Sequence, residues 1–137
     1  MKRLVLLDNE AVQALADRAH RKHRRVVYEL RIVASRITRG LQVGVAVPAT
    51  VRVEAGWDRT SPAWALVNRL PIADIPLGAE HADVAAGIRN RTRVSVADAH
   101  LGAAIQRAGS EHVTVITSDP GDMRQVAEGR RVDIVAI

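Results

Sequence analysis

Cysteine is absent from this 137-residue sequence, which removes disulfides and thiolate metal sites and suits a reducing cytosol. Aromatic side chains are almost as scarce: Tyr28, Trp57 and Trp64 make up 2% of the chain, and phenylalanine does not occur. A stacking platform for splayed bases of the RRM or OB kind is therefore hard to build, and a grip on nucleic acid is expected to fall on phosphates. Long apolar runs are missing too. The opening MKRLVLLDNE has a basic start, but its apolar stretch stops at Asp8, too short for a signal-peptide core or a membrane span. The expectation is a soluble, cytoplasmic protein that engages no membrane. No G-x-x-x-x-G-K-[ST] or G-x-G-x-x-G loop follows a candidate strand, which disfavours the common nucleotide folds. With no internal repeat and no low-complexity linker, the length suits one domain over residues 1–137.

What the chain holds in excess is arginine. Twenty Lys+Arg against fifteen Asp+Glu give +5 and a pI near 10.9, and the only lysines are Lys2 and Lys22. A pI above about 9 makes nucleic acid a reasonable partner.

Short apolar runs recur, each stopping at a polar residue or proline before a helical pattern begins. RLVLL (3–7) meets Asp8, LQVGVAV (41–47) meets Pro48, HVTVIT (112–117) meets Ser118 and Asp119, and VDIVAI (132–137) closes the chain. LPIADI (70–75) supplies a fifth candidate strand. Apolar strands separated by helix-length segments predict an α/β fold of three layers, α/β/α, around a mainly parallel sheet of four to five strands. Two helices are expected before Gly40, one from Pro48, a turn from Ser61-Pro62, helices over 79–92 and 94–109, and a last one from Asp119-Pro120 to about Gly129.

In such a sheet the ligand crevice lies beyond the carboxyl ends of the strands, where Asp8 and Asp119 stand. Each acid has a bland explanation. Asp8 and Asp119 suit helix N-caps, Asp98 lies four positions into Ser95-Val-Ala-Asp, close to a capping box, and Glu54 can pair with Arg52 or Arg59. Jointly, four carboxylates at one rim would repel unless cations sat between them. Mg²⁺ or Mn²⁺ take oxygen ligands and share them with phosphates, and two such ions can clamp the attacking and leaving oxygens of a phosphodiester. Setting those four acids aside leaves eleven against twenty cations, a +9 surface that would draw a polyanion toward an acidic cleft.

Four segments resemble the PIN-domain family, and more narrowly its VapC-type toxins from toxin–antitoxin modules: LVLLD (4–8), PATVRVEAGW (48–57), VSVADAHLGAAI (94–105) and VITSDPGDMRQVA (115–127). The resemblance spans nearly the whole chain. It implies a PIN-like fold and a Mg²⁺- or Mn²⁺-dependent endoribonuclease that leaves a 3′-hydroxyl and a 5′-phosphate. It also implies a homodimer and inhibition by a cognate VapB-type antitoxin. Carried over by position, Asp8 and Asp98 would bind metal directly and Asp119 directly or through water. Glu54 would ligate a second ion or orient the attacking water, with Asp122 behind them. Gly56-Trp57 departs from the usual β-branched continuation, and RAHRKHRR (18–25) is more basic than the family pattern.

Other features have ordinary readings. RAHRKHRR can contact phosphates or form a solvated helix face, and His20 and His23 would share a helix side, with flanking cations repelling a metal. His100 would lie about 200° round the helix from Asp98, Trp57 and Trp64 suit the core or a dimer interface, and Arg89, Arg91 and Arg93 can border the cleft. Thr117 and Ser118 stand where they can hydrogen-bond the carboxylates. A receiver-like domain would need paired acids after the first strand and a lysine near the last, and a haloacid-dehalogenase-type phosphatase would need D-x-D where Asp8-Asn9-Glu10 stands. The remaining alternative is a PIN-fold module that binds RNA or protein without cutting.

Overall fold

The computed structural model describes residues 2–109 and 111–137. Five strands, β1 (Arg3–Leu7), β2 (Val43–Pro48), β3 (Ile72–Ile75), β4 (His112–Thr117) and β5 (Asp133–Ala136), form one sheet in the order β3-β2-β1-β4-β5. Every pairing is parallel, with Leu6 opposite both Ala46 and Val115. Seven helices flank it: α1 (Asn9–Ala16), α2 (His23–Thr38), α3 (Ala49–Ala55), α4 (Ala65–Asn68), α5 (Ala79–Thr92), α6 (Val96–Arg107) and α7 (Pro120–Ala127), with a 3₁₀ turn at Pro62–Trp64. The result is the three-layer α/β/α arrangement, and the order places β1 at the centre, where Leu6 and Leu7 are fully buried.

Parallel strands need crossover connections, and right-handed crossovers send the segment after β1 to one face and those after β3 and β4 to the other. α2 accordingly lies over Val5, Ile116 and Val135 through Ile32 and Val33. On the other side α6 packs between α5 and α7. A Cβ at Gly102 would stand 2.7 Å from Ile88 Cδ1 and 2.8 Å from the Val126 carbonyl, so only glycine permits this approach.

β1 and β4 follow the expected bounds, whereas the other strands are shorter. β2 starts at Val43, because Gly40 at φ +82° ends α2 and Leu41 N still bonds back to the Arg36 carbonyl. β3 starts at Ile72, because Pro71 has no N–H for a ladder. α1 also ends early. The Asp17 carboxylate accepts from Ala19 N at 2.9 Å, a local turn that competes with helix. RAHRKHRR is thus part turn and part helix, and His20 lies outside the helix that His23 begins, so the two do not share a helical side. No helix among the described residues is long and apolar enough to cross a membrane.

Candidate acidic site

β1 delivers Asp8 to the carboxyl edge of the sheet, where its buried carboxylate accepts three hydrogen bonds. Oδ1 accepts from Ala11 N at 2.8 Å, capping α1. Oδ2 accepts from Thr117 Oγ1 at 2.6 Å and from Ser118 N at 3.0 Å, so one acid joins the first helix to the end of β4. The Thr117 hydroxyl in turn accepts from Asp119 N at 2.9 Å, tying the two strand ends together. Burial pushes the Asp8 carboxyl above the usual carboxylate range, the three hydrogen bonds oppose it, and the charge of Glu10 adds to the rise.

Asp98 is different. It sits in the first turn of α6, where Ser95 Oγ, the N-cap, accepts from its backbone N–H at 3.1 Å. Its half-buried carboxyl is pushed up to about 6, first by burial and then by the charges of Asp122, Glu54 and Asp8. Three other acids therefore face the start of α6, and the Ser95 hydrogen bond only partly offsets them. Asp119 caps α7, with Oδ1 accepting from Asp122 N at 3.1 Å. Asp122 is also raised, by burial and then by the charge of Asp119. Of the four sequence candidates, Asp8 and Glu54 both bring their charge to bear on Asp98. Asp119 reaches the group through Asp122, whose charge is the strongest of those acting on Asp98. The early-turn position of Asp122, three residues after a strand-end acid, was the available signal for it.

Neighbouring features resolve into structure. Arg52 and Arg59 do not pair with Glu54; both reach Asp74, at 3.0 Å each. Arg59 also lies 4.5 Å over the buried Trp57 ring, which stacks on Trp64 and donates to Asn68 at 2.7 Å. Arg91 grips Glu128 through two hydrogen bonds of 2.8 Å, and Arg89 donates to the Val94 carbonyl, so neither is free to line a cleft. His20 bonds Glu10 and His23 bonds the Ala14 carbonyl, which accounts for both without a metal. His100 is fully buried with Nδ1 2.9 Å from Thr50 Oγ1, linking α6 to α3 one turn before Glu54. Its pKa is lowered by burial and by nearby His81, so it is a neutral tie between the two acid-bearing helices.

The donor set around Asp98 is all carboxylate, with no Lys or Arg ion pair among the described residues at Asp8, Glu54, Asp98 or Asp122. By charge and donor type these residues suit a hard divalent cation. Their spacing is looser: among the described residues no three of Asp, Glu and His already stand where a single ion could join them. An apolar depression opens alongside, lined by Thr50, Val53, Glu54, Ser95, Val96 and Ala97.

No family model and no curated protein matches the chain. Solved structures do match it over nearly its whole length. VapBC2 from Rickettsia felis, bound to a DNA fragment from its promoter, aligns with a TM-score of 0.66 at 11% identity, covering 96% of this chain and 98% of that one. VapC20 of Mycobacterium tuberculosis, a toxin that cleaves the sarcin-ricin loop, aligns with a TM-score of 0.59 at 15% identity over 93% and 96%. FitAB bound to the IR36 DNA fragment aligns at 0.55 and 21% over 96% and 94%. The five-stranded parallel sheet and its helices are the PIN-like fold of these VapC-type neighbours.

Proposed function

We propose that this protein is a toxin-type endoribonuclease that hydrolyses RNA phosphodiester bonds with Mg²⁺ or Mn²⁺ and is restrained by a cognate antitoxin. The observation that carries this is Asp98, a carboxyl pushed up to about 6 by burial and by three acids that no cation neutralises. A purely structural acid tends to find a partner, as Asp74 does with two arginines. An unpaired group at the carboxyl rim of a parallel sheet is the usual mark of a binding site.

In this reading Asp8 and Asp98 would hold the ion, Asp122 and Asp119 would complete or support the set, and Glu54 would orient the attacking water or contribute to a second ion. When bound, the ion offsets the carboxylate charge and polarises the scissile phosphate. Asp8, with three hydrogen bonds, is the fixed point; its short bond from Thr117 keeps the carboxylate aimed at the rim. Asp98 has only the Ser95 hydrogen bond to offset the neighbouring acids, so a cation has most to offer there. The arginine-rich surface would collect RNA. That VapC20 cleaves a structured RNA loop, and that VapBC2 and FitAB are two-component proteins seen with DNA, supports an RNA substrate and an antitoxin partner for this chain. A homodimer and a cytoplasmic location belong to the same proposal.

The test is cleavage of a structured RNA with Mg²⁺ or Mn²⁺ by the native chain, Asp8→Asn and Asp98→Asn. Loss of roughly a hundred-fold or more in rate is expected for Asp98→Asn. Equal cutting by all three removes the nuclease reading. The absence of three preformed ligands among the described residues favours one second reading, a PIN-fold RNA-binding module; RNA binding by all three proteins with cutting by none would select it.

A further inference from the structure

The exposed side of α2 carries a pattern that the acidic rim does not use. Residues 24, 28, 31, 35 and 39 are Arg, Tyr, Arg, Ser and Arg. Steps of four, three, four and four residues keep them on one helical stripe of about 22 Å, opposite the buried Val26 and Val33. All five are exposed, and Tyr28 shows 59% of its surface. Among the described residues Arg24, Arg31 and Arg39 have no acidic partner, whereas Arg25 on the flank is paired with Glu29, the only acid of the helix. Tyr28, Arg31, Ser35 and Arg39 border one shallow depression. Of the three aromatic residues in the chain, Tyr28 alone is this open: Trp57 is buried and Trp64 stacks on it.

The stripe is also connected to the rim. His20 bonds Glu10 in the first turn of α1, just past Asp8, so the turn before α2 folds back toward the acids. The far end of α2 feeds β2, whose start lies level with Arg3 at the amino ends of the strands. α2 therefore descends from the rim side along the flank of the molecule.

We propose that this stripe is a second RNA-contact surface, on which Arg24, Arg31 and Arg39 grip successive backbone phosphates and Tyr28 stacks on one base, holding substrate that extends beyond the acids. The proposal rests on the RNA reading above. Charge selects a polyanion, and guanidinium groups suit phosphate because they bind it through two parallel hydrogen bonds. A lone exposed ring between guanidinium groups is placed to stack on a base whose flanking phosphates they hold.

The experiment uses the full chain carrying Asp98→Asn, so that RNA stays intact, with and without Arg24→Gln, Arg31→Gln and Arg39→Gln together. Binding of a labelled RNA hairpin is titrated across potassium chloride concentrations. The slope of log affinity against log salt should become shallower by about 2, from three lost phosphate contacts. Tyr28→Ala should weaken binding at least about five-fold with the slope unchanged, because stacking releases no counterions. In the active protein the triple variant should raise KM for the hairpin and leave cutting of a four-nucleotide RNA unchanged. If the native chain cuts neither RNA, the nuclease reading fails while a shallower slope still supports the stripe. If it cuts both and the triple variant changes neither slope nor KM, the stripe proposal is overturned and the nuclease stands. An unchanged slope with lost capture of polyglutamate would assign the face to an acidic protein segment and likewise overturn it.

Discussion

Asp74 and Asp98 are both acids near the edge of one small sheet, and their surroundings are opposite. Around Asp74 burial works upward on the pKa, but the hydrogen bonds and charges of Arg59 and Arg52 outweigh it and hold the carboxyl below its usual 3.8. Around Asp98 burial works the same way and nothing outweighs it, because the nearest charges are Asp122, Glu54 and Asp8. The first cluster is finished: its acid, its arginines and Trp57 satisfy one another. The second is held together by the backbone against its own electrostatics. The difference separates an acid that serves the fold from one that the fold carries at a disadvantage.

The largest expected effect tests how rigidly the second region is held. Gly102→Ala pushes α6 off Ile88 and Val126, and should lower stability by about 1–3 kcal/mol in a denaturant titration. It should also shift Asp98 away from Asp8 and reduce any cleavage. A neutral substitution would show that α6 has room to move, and that the acids are not fixed against one another.

Next comes the pair of neutralising substitutions. Asp74→Asn strips two arginines of their charge partner and should cost about 1–2 kcal/mol. Asp98→Asn should instead stabilise the metal-free protein at pH 7. The interval from 3.8 to about 6 corresponds to about 3 kcal/mol, which solvent screening at a half-buried group reduces to about 1–2 kcal/mol. Thermal melts of the two variants that moved in the same direction would dissolve the contrast.

The same contrast has a pH form. Asp74, lowered in the fold, contributes stability that is complete above 3.8 and is lost as the pH falls through its folded value. Asp98, raised to about 6, favours the fold while protonated, so stability should drop as the pH climbs from about 4 to about 6 and stay lower above. In Asp98→Asn that drop should shrink, and a melt series identical to the parent between pH 4 and 7 counts against the assignment. The smallest effect is a rise in Tm with millimolar Mg²⁺ or Mn²⁺, since an ion bound to the folded state alone stabilises it by mass action. Asp74→Asn should keep the rise and Asp98→Asn should lose most of it.

Much of this was legible in the sequence. The apolar runs ending at Asp8 and at Thr117-Ser118-Asp119 marked the carboxyl edge, because a parallel strand buried on both faces has no reason to end on a charge except at its rim. Ser95 and Asp119 announced their helices as caps. What the sequence could not show was pairing across distance. Arg52 is two residues from Glu54 along the chain, yet it reaches Asp74 because β2 and β3 lie side by side. The weight of Asp122 on Asp98 arises only when α6 and α7 close around Gly102. His100, which local spacing pointed away from the acids, ties α3 to α6 through Thr50, fifty positions earlier.

The bond from Thr117 to Asp8 spans 109 positions, and it joins the central strand to the fourth strand in chain order. A ribosome translating this chain at about 5–20 residues per second would thus leave Asp8 for several seconds or more without Thr117 and Ser118. Until then the nascent polypeptide carries its acids without the bond that fixes the first of them to the end of β4. Whatever chemistry that edge performs is withheld until β4 has been made and has docked beside β1.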